Sequence, residues 1–172
     1  MLIFWYFYNI FGKNEQIKHQ QIALLIYRGG KTVNKKDFFL ENIIGTWALV
    51  STKAVDANGK PTSVAPFGGT NFIGRVVFTK EGRMSAAITD ARNQIPEGET
   101  REYSCYAGAY TFEKETLITT VDACSDPARM GTQQIRTVSF EKDLMILQPP
   151  LRSYGNKPAE LRTLWWKKIS DI

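Results

Sequence analysis

From Ile44 to the C-terminus, apolar and polar residues alternate in short bursts separated by turn-forming residues. Period-two alternation with Val, Ile, Thr and aromatic enrichment predicts strands. Eight such runs follow one another: Gly45–Lys53, Asn71–Thr79, Arg83–Thr89, Tyr103–Glu113, Thr116–Asp122, Thr132–Glu141, Leu144–Gln148 and Leu161–Ile169. Asp56-Ala57-Asn58-Gly59, Lys80-Glu81-Gly82, Lys114-Glu115 and Lys142-Asp143 read as turns, while Asp90–Arg101 and Ala123–Met130 read as loops. No helical periodicity separates the runs. The pattern therefore predicts an all-β chain, an antiparallel up-and-down β-barrel of about eight strands, since closing the sheet removes its exposed edges. A short helix is predicted only over Lys35–Asn42, with Phe38, Phe39 and Glu41 placed to cap one barrel end.

Alternation also predicts which side chains share the inner face. On the first strand these are Trp47, Leu49 and Ser51, and on the third Met84, Ala86 and Ile88. Tyr106, Gly108, Tyr110 and Phe112 form the set on the fourth, and Arg162, Leu164 and Trp166 on the last. On Thr132–Glu141 the apolar pair Val138 and Phe140 marks the interior, which brings Gln134 and Arg136 inside. A buried guanidinium is costly unless paired, so Arg136 calls for a carboxylate, a carbonyl, water or an anionic ligand. Arg136 and Gln134 then form the polar end of a cavity, with Tyr106 and Tyr110 adding hydroxyls and Met84 and Trp166 an apolar wall. The competing reading is a polar network that ties strands together inside a filled barrel, because eight-stranded barrels occur in both forms.

The N-terminal segment changes the picture mainly through charge. The chain of 172 residues carries a net charge of +5, and residues 1–32 hold a surplus of three through Lys13, Lys18, Arg28 and Lys31 against Glu15. The remainder carries +2, with no basic stripe, so no nucleic-acid partner is expected. Two domains of the chain are read: an extension over residues 1–32 and the barrel over 33–172. The aromatic run Met1–Phe11 is shorter than the roughly 20 residues that span a bilayer, and it lacks the marks of a secretory signal. Residues 1–27 also fit a surface-lying amphipathic segment that touches a membrane. A translated leader fits better: Arg28-Gly29-Gly30-Lys31-Thr32 is encodable by a purine-rich ribosome-binding stretch, and Val33 by a GTG start codon. Gly30-Lys31-Thr32 ends like a phosphate-binding loop, but Leu25 stands where that loop needs glycine.

Candidate chemistry is sparse. The single histidine, His19, lies in the extension, so the barrel has no imidazole for a metal site, a hydrolytic triad or a proton shuttle; neither metal nor cofactor is expected. No inward Asp or Glu can be placed as a base. Cys105 and Cys124 sit opposite each other if Lys114-Glu115 is a two-residue turn and the strands continue without a bulge, which would put a cross-strand disulfide within reach on the outer face. Free thiols in a reducing cytoplasm are the alternative. A cytoplasmic location is expected, and a periplasmic one if that bridge forms.

Gly45-Thr46-Trp47 opens the first strand as Gly-x-Trp opens lipocalins. With the runs GTWALVSTKAVDANGKP, FTKEGRMSA, YAGAYTFE, DPARMGTQQIRTVSF and LWWKKI, the chain resembles the bacterial and fungal lipocalin-like domain family, a calycin-type barrel, over about Ile43 to Ile169. The resemblance implies that Gly45 and Trp47 are structural and that Trp47 sits at the closed end. It also implies that a C-terminal basic residue, Lys168 or Arg162, lies over the indole. For function it implies little, since some relatives with similar barrels bind apolar molecules and others shape reactive ones. Three readings follow: a binding module for a small apolar or amphipathic ligand, a metal-independent isomerase or cyclase of an apolar natural-product intermediate, and a filled structural barrel. Whether the chain is an enzyme is left open by these residues.

Overall fold

Eight alternating runs become eight strands in the computed structural model, which describes residues 26–28, 31–33, 40–62 and 65–171. The chain divides into two units, Met1–Lys35 and Lys36–Ile172. In the first, Ile26–Arg28 pairs antiparallel with Lys31–Val33. The sequence pattern predicted no element there. Met1–Phe11 and the helix-capping residues Phe38 and Phe39 lie outside the described residues.

The second unit is a closed antiparallel barrel: β1 (Gly45–Asp56), β2 (Phe72–Phe78), β3 (Arg83–Asp90), β4 (Tyr103–Glu113), β5 (Thr116–Cys124), β6 (Gln133–Glu141), β7 (Leu144–Gln148) and β8 (Glu160–Ser170). Each strand pairs with the next, and β8 closes on β1. The connections differ by end. At one end β2–β3, β4–β5 and β6–β7 are joined by tight turns, in which Lys114 and Lys142 adopt φ 56° and Gly82 φ 76°. At the other end the loops 57–71, 91–102, 125–132 and 149–159 are long.

The tight-turn end is packed shut. Residues 40–43 form a helical turn leading into β1. Ile43 is fully buried, and its carbonyl accepts a 2.8 Å hydrogen bond from the Trp47 indole Nε1. Glu41, one of the three predicted capping residues, is exposed, and among the described residues Ile43 supplies the apolar cap. Phe78, Met84, Phe112, Leu117, Val138 and Met145 fill the space around Trp47, and Phe140 packs at 6.3 Å from its ring. Lys168 Nζ lies 5.1 Å from the Trp47 ring centroid, so the covering cation is Lys168 and not Arg162. Gly45 explains itself: at φ 130° a Cβ here would stand 2.5 Å from the Ser170 carbonyl oxygen, where the closing strand passes.

Of three register shifts in the barrel, two break the predicted alternation, and the third leaves Ile169 unmatched near the end of β8. Trp165 pairs with Ser51 and Trp166 with Leu49, so Val50 is an extra residue on β1. Ser51 is thereby turned outward, contrary to the expected inner set, and Ala54 comes in. On β5 the pairing runs from Glu113↔Thr116 to Gly108↔Val121 and then shifts to Ala107↔Ala123, leaving Asp122 unmatched. Gly108 sits where a Cβ would be 1.9 Å from the Thr120 carbonyl oxygen, so the bulged strand closes in on its neighbour where no side chain intervenes. Tyr106, not Cys105, faces Cys124 as a result. Of the two arrangements weighed for Cys105 and Cys124, a bridge or free thiols, the structure has the free thiols: Cys105 is exposed, and Cys124 packs against the core edge instead of pointing outward.

Candidate functional site

The long-loop end opens into a cavity of about 960 Å³ within the barrel unit. Its deeper wall is apolar, formed by Val76, Ile88, Leu147, Leu164 and Trp166, each supplied by an inward position of a strand. Phe67, in the loop after β1, adds an aromatic surface at the mouth. It is buried with φ 53°, a left-handed conformation uncommon for a non-glycine residue, and its backbone N–H donates 2.8 Å to Glu102 Oε2.

One side of the mouth is a paired charge network. Arg162, 2% exposed, donates through Nε to Glu160 Oε1 at 2.7 Å and through Nη1 to Glu102. Its guanidinium carbon lies 3.6 Å from the Tyr154 ring centroid and 5.4 Å from that of Phe67. Asp90, 1% exposed, is clasped by Arg92, whose Nε and Nη2 lie 3.0 and 2.7 Å from Oδ2. Arg92 Nη2 also reaches Glu99 at 2.8 Å, and Arg101 donates to the Asp90 backbone carbonyl at 2.6 Å. The hydrogen bond from Arg92 holds the Asp90 carboxyl below its ordinary value, against the desolvation that would raise it. Asp90 and Glu160 are inward carboxylates that the sequence reading did not place. Their signal was present, since Asp90 continues the parity of Met84, Ala86 and Ile88, and Glu160 that of Arg162 and Leu164.

A second group of cations has no carboxylate partner among the described residues. Arg129, from the loop between β5 and β6, lies 4.5 Å over the Tyr106 ring centroid. It donates to Ser104 Oγ at 3.1 Å and to Gln134 Oε1 at 3.2 Å. Burial pushes its pKa down, and Arg136 and Arg152 lie near enough to add to that by repulsion. Among the described residues Arg136 donates only to the carbonyl of its neighbour Ile135, and Arg152 stacks on Tyr154 at 4.6 Å. All three line the cavity.

The expected site residues divide between the two ends. Arg136, Tyr106 and Trp166 line the cavity. Gln134 is buried but turned to Arg129 and to Thr132 Oγ1, so it positions a neighbour instead of facing the opening. Met84 and Tyr110 belong to the packed end, where the Tyr110 hydroxyl donates 2.8 Å to the Thr79 carbonyl and its ring meets Phe78 edge-on at 5.3 Å. Arg162, the alternative to Lys168 as the cation over Trp47, is a cavity residue. Arg129 was missed because loops carry no periodicity from which to read direction.

Among the described residues no cluster of His, Cys, Asp and Glu is arranged to hold a metal, and no helix is long and apolar enough to cross a membrane. Residues 44–169 match the family described as the lipocalin-like domain. No curated protein and no solved structure matches the chain.

Proposed function

The chain belongs to the lipocalin-like domain family, and on that premise we propose that the open end of its barrel binds one small molecule with an apolar body and a polar end. The observation that carries this reading is the cavity of about 960 Å³, with its apolar wall deep in the barrel and its polar groups near the mouth. Ligand pockets of about 300–1,000 Å³ are commonly lined this way, with few polar groups fixing orientation. Space of that size also weighs against the filled structural barrel. In this reading Val76, Ile88, Leu147, Leu164 and Trp166 take the apolar body, and Arg136 with Tyr106 the polar end.

Nile red, a neutral apolar fluorophore, tests the reading directly. Binding should raise its emission and saturate at one molecule per chain, and native mass spectrometry of protein purified gently from its own host should show a retained small molecule. Absence of both overturns the proposal. Leu164→Arg, which puts a charge into the apolar wall, should abolish Nile red binding in protein that still folds.

A further inference from the structure

The chemistry of the polar end can be taken further than its polarity. Three features of the cavity point the same way. First, its charges are segregated. Arg162 and Arg92 are tied to the carboxylates of Glu160, Glu102, Asp90 and Glu99, and Arg101 to the Asp90 backbone carbonyl, whereas among the described residues Arg129, Arg136 and Arg152 have no carboxylate within ion-pair distance. Asp126 also lines the cavity, but it is exposed and its side chain accepts from the Ala128 backbone N–H, capping its own turn. Second, three buried side-chain nitrogens among the described residues have no hydrogen-bond partner: Arg129 Nε, Arg162 Nη2 and Trp166 Nε1. All three belong to residues that line this cavity. Buried donors are nearly always satisfied, and leaving one unmet costs more than an ordinary hydrogen bond returns. All are donors and none is an acceptor, so the missing complement is an acceptor. Third, Arg129, Arg136 and Arg152 each carry a planar fork of N–H groups that matches a carboxylate or phosphate in two-point contact, and Lys157, exposed at the same cavity, adds a further cation.

Resting on the binding reading above, we propose that the polar end of the ligand is an oxyanion, seated at Arg129, Arg136 and Arg152. Gln134 and Tyr106 hold Arg129 in place, one by accepting from its Nη2 and the other by stacking, so the guanidinium is oriented before anything binds. Such preorganisation reduces the ordering that binding must impose. Bringing three like charges toward one cavity is unfavourable in the empty protein and is relieved by an anion, which favours charged over neutral ligands of the same shape. The ligand is thus an amphipathic organic acid, and its head is either a carboxylate or a phosphate.

Displacement of Nile red by dodecanoate, dodecyl phosphate and dodecanol, each below its micellar concentration, separates the possibilities. At least one anion should bind about 10- to 100-fold tighter than dodecanol, as one or two charge-assisted hydrogen bonds would give. The better of the two anions identifies the head group. Arg136→Gln should remove most of that preference, weakening the anions far more than dodecanol. Among the described residues the Arg136 side chain bonds only to the neighbouring carbonyl, so folding is not at stake, and Arg129→Gln provides the second variant. Equal affinities for acid and alcohol, or variants that weaken all three ligands alike, overturn the oxyanion inference while the cavity reading stands. Nile red that binds but is displaced by none of the three also overturns it. Failure of Nile red itself to bind overturns the cavity reading and this inference with it.

Discussion

The two ends of the barrel are built from the same eight strands and do opposite things with them. At the tight-turn end the inner positions are large and apolar, the connections are short, and a single indole is held from below by the Ile43 carbonyl and from the side by Lys168. At the loop end the same inward positions carry Asp90, Gln134, Arg136, Glu160 and Arg162, and the space between them stays open. A strand can be apolar at one end and charged at the other without losing its ladder, because the backbone hydrogen bonds are indifferent to the side chains above them. Stability can therefore concentrate where the packing is dense, and recognition where it is not.

The sharpest way to break that division is Trp47→Ala. Truncating a buried Trp removes its transfer energy and leaves a hole, at a cost of about 3–5 kcal/mol. Urea denaturation should show a loss of this size, and the surviving folded protein should keep its relative preference among the three dodecyl ligands. A variant that lost that preference would show that the packed end shapes the site. At the other end, Arg162→Met strands Glu160, 3% exposed, without its nearest cation and should destabilise by about 3 kcal/mol. Adding Glu160→Leu to it should recover most of that loss, since apolar replacement of a whole buried pair is often neutral. No loss from Arg162→Met would mean that the network serves a ligand and contributes nothing to holding the mouth.

How much of this division the sequence could show follows from what alternation encodes. Period two places Trp47, Met84, Tyr110, Phe112, Val138 and Trp166 inward, and all are buried. It cannot announce an inserted residue, so the bulges at Val50 and Asp122 turned Ser51 outward and separated Cys105 from its expected partner. Nor does it say at which height along the barrel an inward residue lies. Tyr110 and Tyr106 share a face four residues apart, yet one seals the packed end and the other lines the cavity. Height follows from which connections are short, and the turn residues Lys114-Glu115 and Lys142-Asp143 already carried that signal. Asp90 and Glu160 were lost to strand boundaries drawn one residue short. Arg129 had no such signal, because its direction is set by a loop and by contacts with Tyr106 and Gln134.

Acid provides a gentler probe of the loop end. Asp90 is more acidic in the folded protein than its ordinary 3.8, chiefly through the hydrogen bond from Arg92. A carboxyl whose folded pKa is depressed stabilises the fold fully above its unfolded value and progressively less as pH falls through the folded one. Stability should therefore decline below about pH 3.8. Arg92→Met removes the main cause of the depression and leaves Asp90 buried, so the variant should be less stable at neutral pH and its acid-side decline should shrink or reverse. Denaturation midpoints measured between neutral pH and strong acid will show the change in slope; parallel profiles for the two proteins would mean that Asp90 does not govern the acid limb.

The smallest effect tests whether the cation over Trp47 belongs to the packing of the closed end or only borders it. Lys168 Nζ also reaches the exposed Asp171 at 3.0 Å, so its position has two candidate causes. An exposed ion pair of that kind contributes little, because both groups remain hydrated and screened. A partly covered ammonium over an indole contributes about 0.5–1 kcal/mol. Lys168→Met keeps much of the alkyl stem against the ring and removes both electrostatic contacts, whereas Asp171→Asn removes only the pair. The expected result is a loss of about 0.5–1 kcal/mol in the first variant, little change in the second, and a weak response of either difference to salt. Equal, salt-sensitive losses would assign the lysine to its carboxylate partner. The closed end would then be apolar packing alone, with charge confined to the open end.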